Sequence, residues 1–169
     1  IIGERMKVMV DEAGKRFVVT SSSDLLKANP DIINLSDVIS CNLDLDVEDT
    51  EIMRKDSQGK EVSYNPPRYE YSYDFYIIVN VNNPYFNEMR FRINPNSVEI
   101  SPPPSIRPGV TLRFNPETNA EYKKYKQLGE EIRQILVKVR DDAREKIEQA
   151  AAPKTAVSCP YCGATTTPD

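Results

Sequence analysis

Cys159 and Cys162, in the run Cys159-Pro160-Tyr161-Cys162-Gly163, are the residues whose type and spacing most directly imply chemistry. Two cysteines separated by two residues serve either as a redox couple or as half of a tetrahedral zinc shell. The redox use needs a helix starting at the first cysteine, whose N-terminus lowers the thiol pKa, inside a strand-helix-strand unit. Ala164-Thr165-Thr166-Thr167-Pro168, which follows the pair, is no helix. Zinc needs only a tight turn that lets both thiolates face one ion, and Gly163 permits one. A structural zinc takes four ligands, and this chain has no histidine. Its third cysteine, Cys41, stands on the apolar phase of a strand, where a small buried hydrophobe is the expected role. The sequence therefore predicts half a knuckle at Cys159 and Cys162. Zinc would bind in the full-length protein through a second pair beyond Asp169, and would be absent from this chain alone. A redox pair and an inert tail are the alternatives.

No other constellation points to catalysis. Without histidine there is no Ser-His or Cys-His nucleophile, and none of the glycines forms a phosphate-cradling cluster. Asp44, Asp46 and Glu48 form a carboxylate row, but alternation spreads them along one strand face instead of gathering them on a calcium loop. A solvated acidic face is the expectation. Tyr64, Tyr69, Tyr71, Tyr73 and Tyr76 could stack bases only beside a positive groove. Arg68, Arg90 and Arg92 are offset there by Glu70, Asp74 and Glu88, so these read as core and sheet-surface tyrosines.

The composition narrows the class of partner. The chain has 169 residues and a net charge of -4 with both signs interspersed, so it carries no electrostatic footprint for nucleic acid or anionic membranes. No apolar run approaches the ~20 residues of a membrane helix, and no signal-peptide pattern opens the chain. An odd number of cysteines argues against a disulfide framework and suits a reducing cytoplasm. Ile1 in place of an initiator methionine implies a longer parent.

The elements that must position these residues are mostly strands. From Tyr69 to Val81 every odd position is apolar or aromatic, and most even ones are polar, the signature of a half-buried antiparallel strand. After Asn82-Asn83-Pro84 the alternation resumes through Met89, Phe91 and Ile93, so 69–93 reads as a long hairpin. Strands are predicted near 5–10, 16–20, 37–47, 51–55, 60–64, 69–81 and 86–93, the third with Ile39, Cys41, Leu43, Leu45 and Val47 on its inner face. Ser21–Asp24 caps a short helical turn that ends at Asn29-Pro30. The proline-rich segment 94–116 reads as a crossing loop anchored by Val98, Ile100, Ile106, Val110, Leu112 and Phe114.

A helix follows over about 117–151, with Thr118 and Glu121 as a capping box and an apolar stripe from Tyr122 to Ile147. At 1.5 Å per residue it would be roughly 50 Å long, so its thin C-terminal end should project. The predicted core includes Val8, Phe17, Leu43, Phe75, Ile77, Val79, Phe91, Leu128, Ile132 and Leu136. Residues 1–151 form one domain, and 152–169 a flexible linker with the half knuckle.

Seven strands closed by one amphipathic C-terminal helix resemble the pleckstrin-homology-like fold, a mainly β barrel or sandwich, over residues 5 to about 145. The tetrapeptide Cys159–Cys162 looks like the active site of glutaredoxins, while Cys-Pro-x-Cys-Gly looks like a zinc-ribbon knuckle. Together with the stretch Ser63–Tyr76, the knuckle makes the chain similar to an uncharacterised group of bacterial proteins that couple such a domain to zinc ribbons. The resemblance implies no established activity. Lipid-binding relatives place basic residues on the first hairpin, where this chain offers Lys7, Lys15 and Arg16 around an acidic Asp11-Glu12 turn. The expected role is a non-catalytic binding or adaptor module for a protein partner, with a peripheral lipid-binding domain and a thiol redox protein as the rival readings.

Overall fold

The computed structural model describes residues 1–103, 114–151, 157–158 and 165–166. It is mainly β, with several antiparallel sheets and one long C-terminal helix. The first sheet holds β1 (Lys7–Asp11), β2 (Arg16–Thr20) and β3 (Ile33–Asn34). Between β2 and β3 lies a single helical turn, α1 (Leu25–Ala28), capped by Asp24, whose side chain accepts from the Lys27 N–H. The second sheet is built on β4 (Val38–Glu51) and continues after a hairpin of β5 (Met53–Lys55) and β6 (Glu61–Ser63). In it β7 (Tyr69–Val81) pairs with β4, with β8 (Glu88–Arg92) and with β9 (Val98–Ile100). Then come α2 (Ala120–Ala151) and a short pair, β10 (Val157–Ser158) with β11 (Thr165–Thr166). Among the described residues the sheets do not close into a barrel. β3 is two residues long, and a 3-10 turn at Leu35–Asp37 redirects the chain before β4 starts a new sheet.

The alternation of β7 is realised as its sequence requires: Tyr73, Phe75, Ile77, Val79 and Val81 are buried. Its most extensive partner is β4 and not its hairpin neighbour β8, with registered pairs from Val38↔Val81 to Glu51↔Tyr69. A bulge between Val38 and Ser40 corrects one expectation. Two residues there oppose a single step on β7, so Val38 turns inward with Cys41 and Ile39 turns out to solvent.

On its other edge β7 meets β8 over Tyr76–Asn80 and β9 over Tyr71–Tyr73. The segment expected to be only a crossing loop thus contains a strand, whose Val98 and Ile100 enter the core. Ile106, Val110 and Leu112 lie outside the described residues. The gap between the two short strands is closed by Asn94, which is fully buried. Its Oδ1 accepts from the Phe75 N–H at 2.8 Å, and its Nδ2 donates to the Tyr73 carbonyl at 3.1 Å. The same amide nitrogen reaches Asp74 Oδ1 at 3.0 Å and the Asn96 carbonyl at 2.8 Å. A side chain thereby stands in for a strand residue.

α2 starts three residues later than expected. Asn119 is its cap, its Oδ1 accepting from the N–H groups of Glu121 and Tyr122, while Thr118 sits in a preceding 3-10 turn. Tyr122, Tyr125, Gly129, Ile132, Leu136, Val139 and Ala143 are buried at spacings alternating between three and four, one continuous seam. Tyr122 packs edge-on against Tyr73 and Phe75, at centroid distances of 5.0 and 5.1 Å. Gly129 marks the closest approach to the sheet. A Cβ there would run into Leu43 Cδ1 and lie 3.2 Å from Ile93 Cδ1. Leu43 and Leu128, expected in the core, are partly buried against it. Beyond Ala143 the helix is exposed through Ala150.

Replacing Asn94 with leucine, similar in size, would leave the Phe75 N–H and the Tyr73 carbonyl unpaired in the core. At ~1–3 kcal/mol for each of these two orphaned groups, urea unfolding should show a loss of about 2–6 kcal/mol. A loss below ~1 kcal/mol would mean that the amide does not splice the sheet.

Candidate functional site

β4 extends past the region that α2 covers. The helix lies over Cys41 and Leu43, while Leu45 and Val47, next on the same face, are 37% and 45% exposed. Tyr69, which pairs with Glu51 at the far end of the ribbon, is 38% exposed. The face that is core at one end is thus an open apolar surface at the other.

The opposite face of the ribbon is charged. Asp44 and Asp46 meet Arg90, at 3.4 and 4.0 Å, and the Arg90 guanidinium lies 3.6 Å from the Tyr76 ring centroid. Arg92 pairs with Asp74 at 3.0 Å and donates to the Pro95 carbonyl. Glu48, on this face, and Asp49, on the apolar side beyond Val47, are exposed, and no ion pair reaches them among the described residues. Glu51 Oε1 is buried and has no hydrogen-bond partner among the described residues. The carboxylate row is therefore a strand face, as expected, and Arg90 neutralises only its first half.

The outer edge of β4 pairs with no strand among the described residues. Its beginning is covered: Arg140 donates to the Ile39 carbonyl at 2.9 Å and Arg144 to that of Val38 at 2.7 Å. The bulge at Ile39 adds to this protection. From Asn42 onward the edge carries neither device. That this strand is terminal in its sheet was not readable from the sequence, although its all-acidic polar phase of Asp44, Asp46 and Glu48 was a signal of exposure.

On the first hairpin, Arg16 is paired with Asp11 at 3.2 Å and Lys7 donates to Ser23. The Gly14 N–H first, and then Arg16, hold the Asp11 carboxyl below its ordinary range. Two of the three basic groups there are engaged within the chain. Of the tyrosines, Tyr73 is buried, Tyr76 lies under Arg90, and Arg68 stands 4.2 Å from the Tyr64 ring centroid.

Cys159 and Cys162 lie outside the described residues. The segments flanking them pair, Ser158 with Thr165 and Val157 with Thr166, so the six residues 159–164 join two antiparallel strands. Cys41 is 3% exposed, and burial pushes its thiol up to about 11. Cys41 is thus a side chain of the hydrophobic core. Among the described residues no three His, Cys, Asp or Glu side chains converge as a metal site, and no helix is long and apolar enough to cross a membrane.

No family model matches the chain, and no curated protein and no solved structure matches it either.

Cys41 supplies a pH test. Its folded pKa is raised above the ordinary 9.0, so its contribution is complete below pH ~9 and is lost as pH rises toward about 11. At ~1.4 kcal/mol per unit this approaches ~2–3 kcal/mol, and Cys41→Ala should flatten the alkaline limb of the stability profile. Iodoacetamide at pH 8 should modify Cys41 only in denaturant. Rapid labelling of the native chain would show that the thiol is accessible.

Proposed function

We propose that this chain is a non-catalytic binding module of pleckstrin-homology-like type that recognises a protein partner in a bacterial cytoplasm. The observation that carries the reading is the long β4, whose outer edge and distal apolar face are uncovered among the described residues. Unpaired backbone groups beside exposed apolar side chains are what an interacting chain uses, and the projecting end of α2 adds a second surface. The order of the elements, antiparallel strands followed by one amphipathic helix, supports the fold assignment. A free, buried Cys41 accords with a reducing compartment. A lipid-reading role is weakened by the engagement of Arg16 and Lys7 with Asp11 and Ser23.

In this reading Cys159 and Cys162 would hold a structural zinc together with a second pair of ligands elsewhere in the full-length protein. The antiparallel pairing of Val157–Ser158 with Thr165–Thr166, on either side of them in sequence, supports a knuckle. Cys41, buried in the core cluster, is not counted among those ligands.

A photo-crosslinking residue placed at Val47 or at Ile147 of the full-length protein should trap discrete protein adducts in cells, whereas one at the exposed Tyr85 should not. Salt-sensitive sedimentation with anionic vesicles, without protein adducts, would replace this reading with lipid binding. For the metal, elemental analysis of the full-length protein should find stoichiometric zinc that is lost in Cys159→Ser and kept in Cys41→Ser. A metal-free protein whose Cys159–Cys162 disulfide cycles in thiol buffers would assign the pair to redox chemistry.

A further inference from the structure

We infer that the outer edge of β4 over residues 42–50 accepts an extended segment of the partner as an added strand, in which lysine or arginine alternates with apolar residues. This rests on the protein-binding reading above and specifies its surface and the chemistry of its ligand. A strand laid on that edge has alternate side chains ~6.8 Å apart, the spacing of the β4 residues themselves. One set falls beside Asp44, Asp46 and Glu48. The other falls beside Leu43, Leu45 and Val47, extending the apolar face that α2 leaves open. Period-2 alternation in the ligand follows from period-2 alternation in the receptor.

Charge selects among the possible occupants. Asp44, Asp46, Glu48, Asp49 and Glu51 lie on one strand that contains no lysine or arginine, and among the described residues Arg90 is the cation within 4.0 Å of its carboxylates. A second copy of β4 docked on the first would set carboxylates against carboxylates, which is unfavourable for directly opposed residues. A cationic strand meets the row with opposite charge. The edge thus rejects its own kind and favours a basic one.

The test uses the full chain and a fluorescein-labelled peptide, Lys-Val-Lys-Val-Arg-Thr-Lys-Val-Lys, titrated at physiological salt. Two controls accompany it: the same residues with all basic ones moved to one end, and the alternating peptide N-methylated at every second residue. Binding of the alternating peptide, with at least tenfold weaker binding of both controls, is the expected result. Hydrogen-exchange protection should appear over 42–50. The Asp44→Asn/Asp46→Asn/Glu48→Gln variant, checked for folding by urea unfolding, should bind at least tenfold more weakly and lose most of the salt dependence. Equal binding of the N-methylated peptide, or protection confined to 141–150, overturns strand addition while leaving a protein-binding module intact. No binding at millimolar peptide also overturns it. Failure of the broader reading shows differently, as vesicle binding without protein adducts in the crosslinking experiment.

Discussion

The structure depends on keeping both edges of β7 hydrogen-bonded while one of its faces is buried. Its odd-numbered side chains from Tyr73 to Val81 form the centre of the core, so its backbone cannot rely on water there. One edge is served by β4 along the whole length. The other is served by two short strands that the chain reaches in succession, leaving a gap opposite Tyr73–Phe75. Asn94 closes this gap because a carboxamide carries the acceptor and donor of a peptide group on a side chain. With the splice in place, β8 puts Arg90 and Arg92 on the outer face, and β9 delivers Val98 and Ile100 to the inner one.

The helix then determines how much of this sheet becomes core. Its seam of alternating three- and four-residue spacings is straight enough to lie along the ribbon, and Gly129 lets it approach Leu43 and Ile93 closely. Asn119 and the Tyr73–Phe75–Tyr122 cluster hold one end, while Arg140 and Arg144 tie a later turn to the carbonyls of Ile39 and Val38. α2 has 32 residues, about 48 Å at 1.5 Å each, yet its buried seam stops at Ala143. The consequence is symmetrical. The last turns of the helix are exposed, and its first turn covers Tyr73 and Phe75 on β7 while leaving their β4 partners Val47 and Leu45 partly uncovered.

Local pattern was legible in the sequence wherever one period ruled. The strands of 69–81 and 16–20, the capped turn at Asp24, and core positions such as Phe75, Ile77, Ile132 and Leu136 all followed from spacing alone. What escaped depended on contacts distant in sequence. Val38 and Ile39 are both apolar, so only the register against β7 shows which of them turns inward. Asn94 after a strand reads as a turn residue, and its role exists only once β7 lies beside it. Val98 and Ile100 read as anchors, but the surrounding prolines hide a strand of three residues. Thr118 and Asn119 are both competent caps, and geometry selected Asn119. The candidate site escaped for the same reason, since being at an edge is a property of a sheet and not of a strand.

The treatment of the other edges shows that β4 is not an oversight of folding. Proteins blunt exposed edges by keeping them short, covering them or bending them. β3, β8 and β9 have two, five and three residues, so each presents little template. The outer edge of β1 is met by the N-terminal segment, where Ile2 and Val8 exchange backbone hydrogen bonds of 2.9 and 2.7 Å. Even β4 is guarded where it starts, by a bulge and two arginines. Against these, its remaining length pairs with no strand among the described residues, and its protection is electrostatic. Charge of one sign excludes only partners of the same sign, whereas a bulge or a proline would exclude them all. An edge defended in that manner is closed to copies of itself and open to a cationic strand.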